Sequence, residues 1–378
     1  MKKRYSGNRH RICGATVALL LATRCYGPQA VSAQSYNQLA QVSKWRAPGP
    51  VTAVAFSPDD KLLAGATRGA VTLWNSAGQQ LQQLSFQEDA TGAQAGGAQP
   101  GRSVSVRQIV FSPDGKMLAA AGITSSVRVW DITNGKLLFD LRGHDRNGAR
   151  AIAFSPNGTM LASGGYDRLV KLWDVRSGAL IRTLEGHGGI VSSLAFERDG
   201  RTLATISAEK TGAANCELKR WDASNGKLLG GGTLDYVDPY TAVLSPTARV
   251  VGSQIFDPLR PRPTQDRLSD GVRLWDAQSG AVLRSTGGTA GFKGASSLVF
   301  SPSGAIIANV IASEYGGQEG SGFSLWDIRT GRSLAYEGNA PKRIYIQAQP
   351  LALTFTKDAR AIAVGCADST VQVWALPE

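Results

Sequence analysis

The chain has 378 residues, 42% of them hydrophobic and 19% charged, with 41 Lys or Arg against 29 Asp or Glu, three His and four Cys. A formal charge of +12 would suit a nucleic-acid partner, but six of the basic residues fall in the first 33, leaving 35 basic against 29 acidic side chains. Those 35 are scattered, with no run of like charge and no basic stripe interleaved with aromatics, so the composition argues against nucleic-acid binding.

Residues 1–33 hold the six cations, no acid, the apolar stretch "ICGATVALLLAT" and "VSA" at 31–33. A charged start, a short apolar run and small residues at a cleavage position are the parts of a secretory signal peptide, with cleavage expected after Ala33. The apolar run, about 12 residues, is shorter than the roughly 20 that a bilayer span needs. An uncleaved anchor is the alternative; Arg24 argues against a lipid-modified Cys25, because it stands where a lipoprotein signal has a small residue. The expected domains are therefore a signal peptide, 1–33, and a mature extracytoplasmic (periplasmic or secreted) domain, 34–378. Retention in the cytoplasm with the first 33 residues intact is the third possibility.

After "QLAQVSKW" at 38–45, one phrase recurs seven times. An apolar run closes at Phe56, Phe111, Phe154, Phe196, Leu244, Phe300 or Phe355 and leads into a turn such as "FSPDG" or "FSPNG". Trp74, Trp130, Trp173, Trp221, Trp275, Trp326 and Trp374 follow in step, and six of them precede a second turn such as "DITNGKLL" or "DVRSGAL", where glycine supplies a tight reversal. Segments such as "VKLW" alternate with period two, so each repeat reads as four short strands. One such sheet cannot bury its own faces. Seven stacked around an axis can, which predicts an all-β, seven-bladed β-propeller of four-stranded antiparallel blades. The seventh repeat ends at "VQVWALPE", after its third strand, so the strand at 38–45 is expected to close the ring and remove two sheet edges.

At these residues the sequence resembles the WD40 family over roughly residues 36–378. The third repeat carries the resemblance best, with Gly143-His144, "LAS" ending at Ser163, Asp167, and Trp173-Asp174. The resemblance implies a hydrogen-bonded chain of His144, Ser163, Asp167 and Trp173 inside the blade, and a platform for assembly without intrinsic activity. Other repeats depart from the pattern: the fourth keeps His187, Thr205 and Trp221 without the Asp, the seventh has Asp368 but Val364 where Ser would sit, and the second has Thr124 at the Asp position. Those blades are expected to be held by apolar packing.

Little else resembles catalytic equipment. His10 is in the leader, and His144 and His187 occupy the repeated Gly-His position, which leaves no free general base. Metal-ligand spacing, a phosphate-cradling Gly-rich loop and a Gly-x-Ser-x-Gly elbow are missing from the sequence. The repeated Asp residues suit turns better than acid–base work. The expectation is no enzyme, no cofactor and no metal. Cys216 and Cys366 fall in blades three steps apart, beyond the roughly 7 Å reach of a disulfide, so two unpaired thiols are expected.

Spacing between landmarks points to a face. From the strand-ending Phe to the Trp, repeats one, two, three and seven take 18, 19, 19 and 19 residues, whereas four, five and six take 25, 31 and 26. The additions lie between second and third strands: "SAEKTGAANC", "FDPLRPRPTQDRLSDG" and "ASEYGGQEGSG". Two more, "QEDATGAQAGGAQPG" after Trp74 and "GNAPKRIYIQAQ" after Trp326, are assigned between a fourth strand and the next first strand. In an up-and-down blade both kinds of connection emerge at the same end, so all five insertions are expected on one face. Over blades 4–7 they bring Tyr240, Phe256, Arg260, Arg262, Arg267, Tyr315, Arg343 and Tyr345, the Tyr and Arg enrichment of interface anchors. Pro258, Pro261 and Pro263 stiffen the longest loop. The expected function is an exported, non-catalytic scaffold binding a protein or peptide partner through this face. The alternative is an extracytoplasmic propeller that binds or turns over a small molecule or glycan at the mouth of the axial channel.

Overall fold

A computed structural model describes residues 40–87, 104–145, 147–208, 215–235, 237, 241–254, 272–286, 297–311, 321–334, 336–337, 340–341 and 344–376. Among these residues the fold is all-β. Seven four-stranded antiparallel sheets and one two-stranded hairpin form a seven-bladed propeller. Blade 1 is Ala53–Phe56, Leu62–Thr67, Ala70–Asn75 and Gln80–Ser85; blade 2 runs from Val106–Phe111 to Leu137–Arg142, blade 3 from Ala149–Phe154 to Leu180–Leu184, and blade 4 from Val191–Phe196 to Leu228–Asp235. Blade 5 starts at Val243–Leu244, blade 6 at Leu298–Phe300 and blade 7 at Pro350–Phe355.

The tight turns explain the recurring phrase. Each first-to-second turn places a residue in the left-handed region at the same point: Gly115, Gly158, Gly200 and Gly304, but also Asp60, Ala248 and Ala359, all with φ between 55° and 75°. Each second turn is fixed by the residue after the Trp. Asp131, Asp174, Asp222, Asp276 and Asp327 accept hydrogen bonds from amides two or three residues on. Side-chain hydrogen bonds from Thr133, Ser177 and Ser224 hold the carboxyls of Asp131, Asp174 and Asp222 below their ordinary range. These aspartates are turn formers.

Burial follows from stacking. Second and third strands are packed on both faces by neighbouring blades, and Leu118, Ala119, Ala120 and Ala121 are all fully buried. Among the described residues the core divides into seven apolar clusters, each a seam between consecutive blades holding the repeat tryptophan of one of them, with Trp45 added in the seam between blades 7 and 1. Trp130 packs with blade 1, Trp173 with blade 2, Trp221 with blade 3, and so on round the ring to Trp74, which packs with Ala352, Ala363 and Val371 of blade 7. Removing one such indole typically costs about 3–5 kcal/mol. Cys216 and Cys366 lie in different seams, and both are buried.

The ring closes through the strand Ala40–Arg46, which pairs antiparallel with Thr370–Ala375 and supplies the fourth strand of blade 7. Trp45 on this strand also lies 6.3 Å from the Trp74 ring, tying the closing strand to blade 1.

One expected placement is corrected. The insertion after Trp326 does not follow the fourth strand of blade 6; it interrupts it. Ser333 bridges Trp326, a small hairpin of Tyr336–Glu337 with Ala340–Pro341 departs, and the strand resumes at Ile344–Tyr345 against Phe323 and Gly322. A fourth strand has one free edge, so an excursion there breaks no ladder on its outer side. The insertion-bearing end is defined by the other four. In blade 4, for example, Ala208 and Asn215 flank the second-to-third insertion, with Asp235 opposite Asn215 and the Ile190 carbonyl bonded to the Ala208 amide.

Candidate functional site

The seven first strands line an axial channel of about 790 Å³. In blades 2, 3, 4 and 7 the pairing of first with second strand skips one residue, making a β-bulge at Arg107, Arg150, Ser192 and Leu351. All four stand four residues before the strand-ending Phe, and Thr52 holds the same position in blade 1. A bulged residue is released from the alternation of its strand and can be re-aimed, and all five line the channel at its insertion-bearing end.

Two of these positions carry guanidinium groups, on adjacent blades, and both meet one phenol. The Arg107 Cζ lies 5.2 Å from the centroid of the Tyr166 ring, a cation–π contact, and Arg150 Nη1 donates to the Tyr166 hydroxyl at 3.3 Å. Tyr166 sits in the second-to-third turn of blade 3. The opposite mouth carries one charge of each sign, Asp60 and Lys357. Asp60 accepts the Lys357 amide at 2.9 and 3.1 Å, and burial raises its carboxyl against the pull of that bond.

Inside blade 3 the structure brings His144, Ser163, Asp167 and Trp173 into one hydrogen-bonded chain. Asp167 Oδ2 lies 2.9 Å from His144 Nδ1, Ser163 Oγ 2.8 Å from Nε2, and Trp173 Nε1 donates to Ser163 Oγ at 2.9 Å. With Nδ1–H donating to the carboxylate, the neutral ring leaves Nε2 to accept the Ser163 hydroxyl, so every link has a donor and an acceptor. A Cβ on Gly165 would stand 2.4 Å from both His144 Nδ1 and Asp167 Oδ1, which is why glycine follows there. Burial would raise the Asp167 carboxyl, but the His144 hydrogen bond and the nearby charges outweigh it and the pKa is lowered.

Blade 4 corrects the expectation of purely apolar packing. Trp221 Nε1 donates to Thr205 Oγ1 at 2.9 Å, which lies 3.0 Å from His187 Nε2; His187 Nδ1 is 3.0 Å from Ser207 Oγ, which donates to Glu217 at 3.3 Å. Glu217, on the third strand, replaces the missing turn carboxylate through one extra hydroxyl. It pairs with Lys219 at 2.7 Å, and Lys219 also donates to the Gly186 carbonyl. Burial first, then the Lys219 charge, lowers the His187 pKa from 6.5 to about 4. In blades 6 and 7 the polar chain fails at its start: Trp326 Nε1 and Trp374 Nε1 are buried without a hydrogen-bond partner.

Of the residues expected at a partner face, Tyr345 is on the resumed fourth strand of blade 6, opposite Gly322 and 61% exposed, at the rim of the insertion-bearing end. Tyr240, Phe256, Arg260, Arg262, Arg267, Tyr315 and Arg343 lie outside the described residues. Arg107, Arg150, Tyr166 and Glu217 escaped the sequence reading. The arginines had a usable signal, a fixed offset of four residues from the repeated Phe; Glu217 had none, since its role depends on cross-strand geometry. Among the described residues no group of three or more His, Cys, Asp and Glu could hold a metal ion, and no helix is long and apolar enough to cross a membrane.

Comparison with known proteins agrees with this architecture. The family model "WD domain, G-beta repeat" matches residues 40–75, 135–174 and 178–222, and the model of the anaphase-promoting complex subunit 4 WD40 domain matches residues 90–147. The General transcriptional corepressor TUP1 of Saccharomyces cerevisiae is 40% identical over 48 residues, a stretch covering 13% of this chain and 7% of that protein. The matched segments begin one strand ahead of a blade: residues 40–75 span the closing strand and three strands of blade 1. That offset makes the first sequence repeat share a strand with blade 7, and with seven such blades the chain is a WD40-repeat β-propeller.

Proposed function

We propose that this propeller is a non-catalytic interaction scaffold that binds a protein or peptide partner at its insertion-bearing end, over blades 4–7, and that residues 1–33 direct it out of the cytoplasm. One observation carries the reading. The turns at one end of the ring are nearly uniform in length, whereas four of the five insertions depart from the other end, where the channel opens beside Arg107, Arg150 and Tyr166. Lengthening a loop costs little closure entropy, about 0.6 kcal/mol per doubling, so length alone could drift; the Tyr and Arg content of the inserts supports contact with a partner. The histidines and carboxylates that the structure places, such as His144, Asp167, His187, Glu217 and Asp131, are used in turns and blade interiors, which supports a binding role over a catalytic one.

Crosslinked affinity capture tests this, comparing wild type with a variant whose residues 256–270 are replaced by a short Gly-Ser turn. A partner recovered by the wild type and lost by the folded variant is the expected result. Equal recovery by both would move the contact away from blade 5. For export, N-terminal sequencing of the protein from the extracytoplasmic fraction should start at Gln34, and an intact Met1 in the cytoplasmic fraction would overturn that part.

A further inference from the structure

We infer that the Arg107–Arg150–Tyr166 cluster is a receptor for a carboxylate carried on an acidic peptide segment of the partner, entering the channel mouth. This rests on the scaffold reading and names the chemistry of what the scaffold holds.

The two guanidinium groups come from the same bulge position of neighbouring blades, so the propeller repeat sets them side by side at the mouth. Tyr166 holds one by its ring and one by its hydroxyl, which lowers the side-chain entropy lost when a ligand is clamped. A planar guanidinium matches a carboxylate with two parallel hydrogen bonds. Of the described residues lining the channel, the charged ones at the opposite end are Asp60 and Lys357, which offset each other, whereas the insertion-bearing end has Arg107 and Arg150, so an anion is favoured at the arginine mouth. The channel volume, about 790 Å³, falls within the roughly 300–1,000 Å³ of ligand pockets.

Openness selects the source of the carboxylate. Arg107 is exposed, and water competes strongly for an exposed ion pair, so a small free anion gains little there. A carboxylate on a segment that also touches the surrounding loops is presented at high effective concentration, and the same contact then adds to affinity.

The test measures binding of fluorescein-labelled hexaglutamate to the full chain by anisotropy, with hexaglutamine, inorganic phosphate and oligouridylate as comparison probes. Hexaglutamate should bind wild type, and Arg107→Gln and Arg150→Gln should each weaken it about tenfold or more, the scale of a lost charge-assisted hydrogen bond. Arg201→Gln, in the first-to-second turn of blade 4, should leave it unchanged. Because either arginine variant could disturb the fold, a double Arg107→Glu, Arg150→Glu variant is added: it should prefer hexalysine, a switch that a folding defect does not produce.

Equal losses at Arg201 and at the mouth would mean nonspecific charge and overturn the proposal. So would hexaglutamate binding no better than phosphate, which indicates a small anion, or binding weaker than oligouridylate lost with the same variants, which indicates a nucleic acid. If the captured partner is retained by both arginine variants, this proposal fails while the scaffold reading stands; if no partner is captured at all, the scaffold reading fails by itself.

Discussion

Replacing Ser163 with alanine removes the atom through which blade 3 satisfies two buried groups at once. Ser163 is fully buried, and its hydroxyl accepts from Trp173 Nε1 and donates to His144 Nε2. Alanine fits the space, so the cost is electrostatic: an orphaned indole N–H and an orphaned imidazole nitrogen. At about 1–3 kcal/mol for each unsatisfied buried group, the range is about 2–6 kcal/mol. Blades 6 and 7 already keep an orphaned indole, which argues for the lower half, about 2–4 kcal/mol. The reciprocal change is Val364→Thr in blade 7. Val364 faces Gln372 across the ladder as Thr205 faces Lys219 in blade 4, so a threonine hydroxyl there can accept from Trp374 Nε1 and donate to a backbone carbonyl. An ordinary buried valine-to-threonine change is destabilising because the hydroxyl lacks partners. Here it should be neutral or stabilising by about 0.5–1 kcal/mol. Urea unfolding followed by circular dichroism gives the global change, and hydrogen exchange of the amides of 160–174 shows whether the loss is confined to blade 3 and its seams. A Ser163→Ala loss below about 0.5 kcal/mol, or a Val364→Thr loss above about 2 kcal/mol, would refute the view that the hydroxyl matters through these partners.

Deleting residues 34–46 should cost far more stability than trimming a free tail, because it strips the outer edge of blade 7 and the Trp45–Trp74 contact; a thermal melt unchanged from the parent would refute the closure. Acidification should destabilise the protein through His187. Its folded pKa, about 4, lies below the unfolded 6.5, so the unfolded state binds more protons between those values and stability falls as pH drops through that window. At about 1.4 kcal/mol per pH unit this amounts to roughly 3 kcal/mol, and Glu217, whose folded carboxyl is also lowered, adds loss in the same direction at the acid end. His187→Asn should flatten the slope between pH 6.5 and 4, and an unchanged slope would place the titration elsewhere. Cys216 and Cys366 are buried, and burial pushes the Cys366 thiol up to about 12; neither should react with a thiol reagent at neutral pH until the protein is unfolded, and stoichiometric labelling of the native protein would contradict the seam packing.

What was legible in the sequence is what depends on short range. The left-handed residue in each first turn, the Asp after each Trp and the two-residue alternation act over a handful of positions, so "FSPNGTMLASGGYDRLVKLWD" specifies most of a blade by itself, and seven copies of it specify the ring. Closure by 38–45 was legible too, since "QLAQVSKW" reads as a strand one position ahead of the first repeat, and Ala40–Arg46 pairs with Thr370–Ala375. Tertiary structure decided the rest, because the outcome rests on atoms far apart in the chain. Glu217 completes the blade 4 chain only because the register of second and third strands sets it opposite Ser207. The hairpin of blade 6 leaves from the middle of a strand because the outer edge of a blade has no ladder to protect. Arg107 and Arg150, 43 residues apart in the chain, share one phenol because a propeller turns a repeat in sequence into neighbours around an axis, and a bulge at the repeated position aims both side chains at the opening.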